Sequence, residues 1–178
     1  MANIDSNPWP YLAAAAYALV RIDEFENWVY NSSELEQCIG SEHYLELISF
    51  NFRKGDAQHD LTSMLRDIFL ERRASGIERD VAVWLARSYL ANSTDLVTIS
   101  RVLGRLWSAK HQWVPSEFAY IDSELDDIPL PAQYDKWNPD ALATKLAESA
   151  PRLQKFERAT RVVAQEMLET LESNARGA

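Results

Sequence analysis

The chain has one cysteine, five glycines and three histidines in 178 residues, and each shortage removes a class of function. A lone Cys38 cannot form a disulfide within one chain. With no secretory leader read at the N terminus, the expected compartment is the reducing cytoplasm. There is no G-x-G-x-x-G or G-x-x-x-x-G-K run, so the two glycine-built phosphate loops are excluded. His43, His59 and His111 stand in no local signature for nucleophilic catalysis, and no two histidines lie four residues apart as a zinc pair. All three are read as surface or capping groups. Long apolar runs are missing too. The longest, Tyr11 to Val20, covers about half of the roughly 20 residues that a membrane span requires, so it reads as a core helix and no membrane contact is expected.

What is present is apolar core and acid. Hydrophobic residues make up 47% of the chain, with six Trp, seven Tyr and six Phe, which excludes disorder over most of its length. A domain of this size removes roughly 70% of its unfolded surface from water, and a single domain over residues 1–178 is expected. The net charge of −9 is unevenly spread. Residues 1–50 hold eight acids against Arg21 alone, and 117–140 hold seven against Lys136. Residues 51–116 are basic, with ten bases to seven acids, and 141–178 are nearly balanced. Acidic segments repel phosphate and attract basic proteins, so direct nucleic-acid binding is disfavoured and a basic protein partner favoured.

The periodicity is helical. Pro10 opens a helix over "PYLAAAAYALV" to about Val20. Asp23 with Glu26, and Ser33 with Glu36, have the spacing of capping boxes for two short helices, the second stopped by Gly40. "SEHYLELIS" continues as helix to about Ser49 before extended chain. Leu61, Met64, Leu65, Ile68 and Phe69 form a stripe with charges opposite, and Gly76 closes that helix. Ser75 and Glu78 open the next, with Ile77, Val81, Trp84, Leu85 and Tyr89 inward. A third buries Leu96, Ile99, Val102, Leu103, Leu106 and Trp107. Pro115, Pro129 and Pro131 argue against a long helix between about 111 and 137. Asn138 and Pro139 start another to about Ala150, and Pro151 kinks it or begins a last helix through Leu153, Phe156, Val163, Met167 and Leu171. The expected fold is an all-α, single-domain bundle of about seven to eight helices with one long irregular acidic loop at about 111–137. Cys38 lies on an apolar helical face, the place of a structural thiol. Arg72, Arg73 and Arg79 are read as partners for the chain's own acids.

The stretch "IDSELDDIPLPAQYDKW", residues 121–137, gathers five carboxylates. Asp122, Glu124 and Asp126 alternate like the first ligands of a calcium loop. That loop would need glycine where Asp127 stands and a bidentate Glu where Gln133 stands. Paired carboxylates doing glycosidase-type chemistry would need an apolar cleft, which adjacent solvated acids do not create. No cofactor is expected. Display remains: a loop stiffened by Pro129 and Pro131, flanked by Tyr120, Tyr134 and Trp137, offers charge for steering and rings for affinity. Solvated acids with rings pinned to the core are the plain alternative.

Two stretches, "FENWVY...LEQCIGSEHYLELISFNF" and "IDSELDDIPL...WNPDAL", together resemble small bacterial immunity proteins of polymorphic-toxin and contact-dependent growth inhibition systems. The resemblance covers about half the chain and implies a non-enzymatic inhibitor of a cognate toxin domain, often a nuclease. The contacts expected on that footing are Asp122, Glu124, Asp126, Asp127, Tyr134 and Trp137, with Glu24, Glu26, Glu34 and Glu36 as a second acidic surface. A helical regulatory or scaffold module binding another cellular protein is the alternative, and a metal-dependent hydrolase built on the carboxylates a third.

Overall fold

The computed structural model describes residues 7–73, 76–128 and 139–176. Within them lie nine helices and no strand, so the chain is all-α. In order they are α1 Trp9–Ala16, α2 Ile22–Asn31, α3 Leu35–Ile39, α4 Ser41–Ile48, α5 Ala57–Arg72, α6 Ile77–Leu90, α7 Leu96–Ser108, α8 Glu117–Leu125 and α9 Pro139–Arg176. The contacts gather into two compact units, residues 1–84 and 85–178, with α6 running through the boundary. No helix among the described residues is long and apolar enough to cross a membrane.

In the first unit, α1 packs on α5. Four successive alanines of α1, Ala13 to Ala16, are buried together with Leu12. Small side chains let a helix bury nearly its whole circumference, and Trp9 meets Phe69 edge-on at 4.9 Å. Phe25 links Trp28 at 5.6 Å to Phe52 at 6.3 Å, and Phe52 holds Phe50 at 4.9 Å in the segment entering α5. The stripe Leu61, Leu65, Ile68 and Phe69 is buried as its spacing predicts, with Met64 half-buried at its edge.

In the second unit, α7 and α8 pack together extensively. Gly104 is the reason: a Cβ there would stand 3.1 Å from the Ala119 Cα. The inward residues of α7 are Leu96, Ile99, Leu103 and Leu106, while Trp107, expected inside, is exposed and Val102 half-buried. Helix α9 contributes Phe156, Ala164, Met167 and Leu171 to the core. Pro151 lies inside this 38-residue helix. Of the two expectations, a kink or a new helix, the new helix does not occur; proline removes one backbone bond, and the strong helix formers around it together with the packed face downstream hold the helix across the gap.

The long irregular loop expected at 111–137 is interrupted by α8. Pro115 precedes that helix and Pro129 and Pro131 follow it, so the prolines bracket it instead of breaking it. Phe118, Ile121 and Leu125 recur at helical spacing and are buried, as is Ile128 beyond. The two capping boxes are also absent. Arg21 caps α2 in extended geometry and its guanidinium takes Asp23 at 2.8 Å, while α3 starts after Glu34 with no side-chain cap.

Glycine closes α3, where Gly40 has φ 86°. Three other helices end at a positive φ without glycine. Ala18 (φ 56°), Asn92 (φ 59°) and Lys110 (φ 70°) follow α1, α6 and α7. Each ending is a Schellman closure: Leu19 N–H donates to the Ala14 carbonyl, Ser93 N–H to Ser88 and His111 N–H to Leu106. Ala18 is exposed, so Ala18→Gly removes no contact. Left-handed geometry costs a Cβ-bearing residue about 1–2 kcal/mol, and glycine's looser unfolded chain takes back about 0.4–1. The variant is therefore expected to gain about 0.5–1 kcal/mol in chemical denaturation. A loss would mean that this turn is held by something other than its backbone.

Candidate functional site

Of the acids expected at the contact surface, four lie on or just after α8. A helix turns about 100° per residue, so alternating acids do not converge on one ion. Asp122 and Asp126 share one side, where Arg101 of α7 pairs with both, at 3.7 and 3.8 Å. Glu124 points elsewhere and pairs with Arg152 of α9, which also lies over the Phe156 ring at 5.8 Å. Asp127 is exposed. Tyr134 and Trp137 lie outside the described residues. Tyr120, 59% exposed, meets Phe156 edge-on at 6.5 Å and forms, with Trp107, the wall of a shallow depression of about 440 Å³. Three of these four carboxylates thus hold α8 to its neighbours.

Asp122 is the least comfortable of them. Its side chain is 26% exposed and its Oδ1 is buried without a hydrogen-bond donor. Burial pushes its carboxyl above the ordinary range, against the pull of Arg101, with Asp126 adding to the rise and Arg105 opposing it. A carboxyl that binds its proton more tightly folded than unfolded costs stability above its folded pKa, and that cost fades as pH falls through it. Asp122→Asn is therefore expected to melt higher than the parent at about pH 7, with the gap closing toward about pH 3. A lower melting temperature at neutral pH would show that the Arg101 pair outweighs burial.

The second acidic set is split between elements. Glu24 and Glu26 lie on α2, Glu34 precedes α3, and Glu36 accepts a bond from Ser41 Oγ at 2.8 Å. None of the four forms an ion pair among the described residues.

A different set of acids surrounds a concavity of about 750 Å³ in the first unit, between α4 and α5. Asp60, Met64, Asp67 and Glu71 follow one face of α5 at i, i+4, i+7 and i+11, beside the buried stripe. Helix α4 supplies Glu46 and His43, and Phe50 closes one end. Contrary to the surface or capping reading, His43 is only 8% exposed. Its Nδ1 faces Glu46 at 3.3 Å and its Nε2 faces Glu71 at 3.1 Å. Ionised carboxylates only accept, so both bonds are donated together only when the ring carries both protons. The histidine thus ties α4 to α5 and orients two carboxylates whose outer faces remain in solvent. Asp67 has no partner among the described residues. These acids were readable only as the solvated face of α5.

The remaining candidates are quieter. Burial pushes the half-buried Cys38 thiol up to about 11, so it stays protonated, as a structural thiol should. His59 is exposed and His111 packs on Trp113 at 5.9 Å. No group of three or more His, Cys, Asp or Glu among the described residues is arranged to hold a metal ion. No family model matches the chain, and neither does any curated protein or solved structure.

Proposed function

We propose that this chain is an immunity-type protein of the bacterial cytoplasm that binds and neutralises a cognate toxin domain by covering a basic surface, a nuclease being the toxin class that must carry one. The observation that supports this best is the acid-rimmed groove between α4 and α5, whose carboxylates outnumber the cations beside it. A nuclease cleft is built to attract phosphate, so a negative surface of matched shape gains both rapid encounter and selectivity against it. The net charge of −9 acts in the same direction at longer range. Contact moves, on this reading, from α8, where Asp122, Glu124 and Asp126 are committed to Arg101 and Arg152, to the first unit. Co-expression with the product of the neighbouring gene tests the function. Growth should be restored and a complex recovered whose formation slows as salt rises; a harmless neighbour, or a toxic one that the protein does not restrain, would sink the proposal.

A further inference from the structure

We infer that the α4–α5 groove is shaped to receive an arginine side chain of a protein partner, its guanidinium between Asp67 and Glu71 and its stem along Met64. The inference rests on the reading of the protein as a binder of basic surfaces, and it names the group that is bound and where.

The chain's own Lys54 shows the chemistry in place. Its ammonium is paired with Asp60 and, at 3.6 Å, with Asp56, and it stands 5.8 Å from the centre of the Phe50 ring. Asp60 and Phe50 both line the groove. One end of the concavity therefore already holds a cation between a carboxylate and an aromatic face.

The other end offers carboxylates without an aromatic face; no lysine or arginine lines it among the described residues, and His43 there is turned to Glu46 and Glu71. Met64, Asp67 and Glu71 lie at i, i+3 and i+7 on α5, so the half-buried Met64 stands beside two carboxylates one turn apart. Side chains so spaced are about 5–6 Å apart at Cβ, and the forked donors of a guanidinium can meet both carboxylates at once in a fixed plane. Asp67 has no partner within the described residues, and Glu71 is fixed by the buried His43 with its outer face open. Glu71, already positioned in this way, loses little freedom on binding. The groove's volume, about 750 Å³, falls within the roughly 300–1,000 Å³ usual for binding sites, room for one long side chain and part of the segment that carries it.

The experiment uses the full chain and a defined probe, the peptide acetyl-(Arg-Gly)3-amide, with its citrulline counterpart as the uncharged isostere. Affinity is read from an NMR titration. The arginine peptide should shift the resonances of α4 and α5, and the citrulline peptide should bind at least about tenfold more weakly. Asp67→Asn, which breaks no intramolecular contact, and Glu71→Gln should each weaken binding about fivefold or more. Lys54→Met should strengthen it severalfold by vacating the groove's other end. Arg53→Met, which removes the same charge from an exposed neighbour, should leave affinity within about twofold, as should Asp126→Asn on the second unit. Equal gains from Lys54→Met and Arg53→Met, or no loss from Asp67→Asn, would reduce the effect to general attraction and overturn the site. Peptide binding at the groove with no toxic neighbour would keep the site and remove the immunity function. Neutralisation that persists in Asp67→Asn/Glu71→Gln would do the reverse.

Discussion

Replacing Phe118 with alanine is expected to destabilise the second unit by about 3–5 kcal/mol, the range for emptying a buried phenylalanine site. The ring is fully buried, and its helix cannot settle inward to fill the space. Gly104 already brings α7 and α8 to the limit of approach, with a Cβ there meeting the Phe118 carbonyl at 3.3 Å and the Ala119 Cα at 3.1 Å. A pair already in contact along its backbone keeps most of the cavity open. Hydrogen exchange of amides in α7 and α8 reads the loss locally, without assuming that the whole chain unfolds as one. A loss below about 1 kcal/mol would mean that α8 is a lightly held loop segment after all.

The second large effect is expected at Arg73, and it should be lopsided. Its Nε and Nη2 donate to Asp80 at 2.9 and 3.1 Å, and its guanidinium lies 5.4 Å from the Trp9 ring centre. The Asp80 side chain is 5% exposed and that of Arg73 31%. Arg73→Met strands a buried carboxylate and should cost about 3–5 kcal/mol, whereas Asp80→Leu leaves a cation that can still reach water and should cost less than half of that. The double variant Arg73→Met/Asp80→Leu should recover most of the loss, since a carboxylate that is absent needs no partner. Urea denaturation of the three variants decides the matter, and strictly additive losses would show that the two residues act independently.

The all-α class and the stripes of α5 and α7 were legible because burial repeats every three to four residues: Leu61, Leu65, Ile68 and Leu96, Ile99, Leu103 carry that repeat without interruption. Helix α8 was not legible because its apolar positions are separated by acids and framed by prolines, and proline marks a boundary without saying which side of it is helical. Helix ends were misread for a related reason. Glycine is the usual signal of a left-handed stop, and here alanine, asparagine and lysine make three of them.

The site divides in the same way. That acids gather at 122–127 and on the outer face of α5 is plain from the sequence. Which of them have partners depends on Arg101 and Arg152 reaching α8 from α7 and α9, and on α4 laying His43 across Glu71. Those are contacts between elements distant in sequence, and no local pattern announces them. A row of carboxylates therefore reads alike whether it is occupied from within or open to a partner.

The distinction between committed and open acids is tested most directly by comparing two neutralised proteins for growth rescue beside the product of the neighbouring gene. Glu46→Gln/Asp67→Asn/Glu71→Gln should lose protection while remaining folded. Asp122→Asn/Glu124→Gln/Asp126→Asn should still protect. Protection lost from the α8 set and kept by the groove set would contradict the account and return the interface to the second unit.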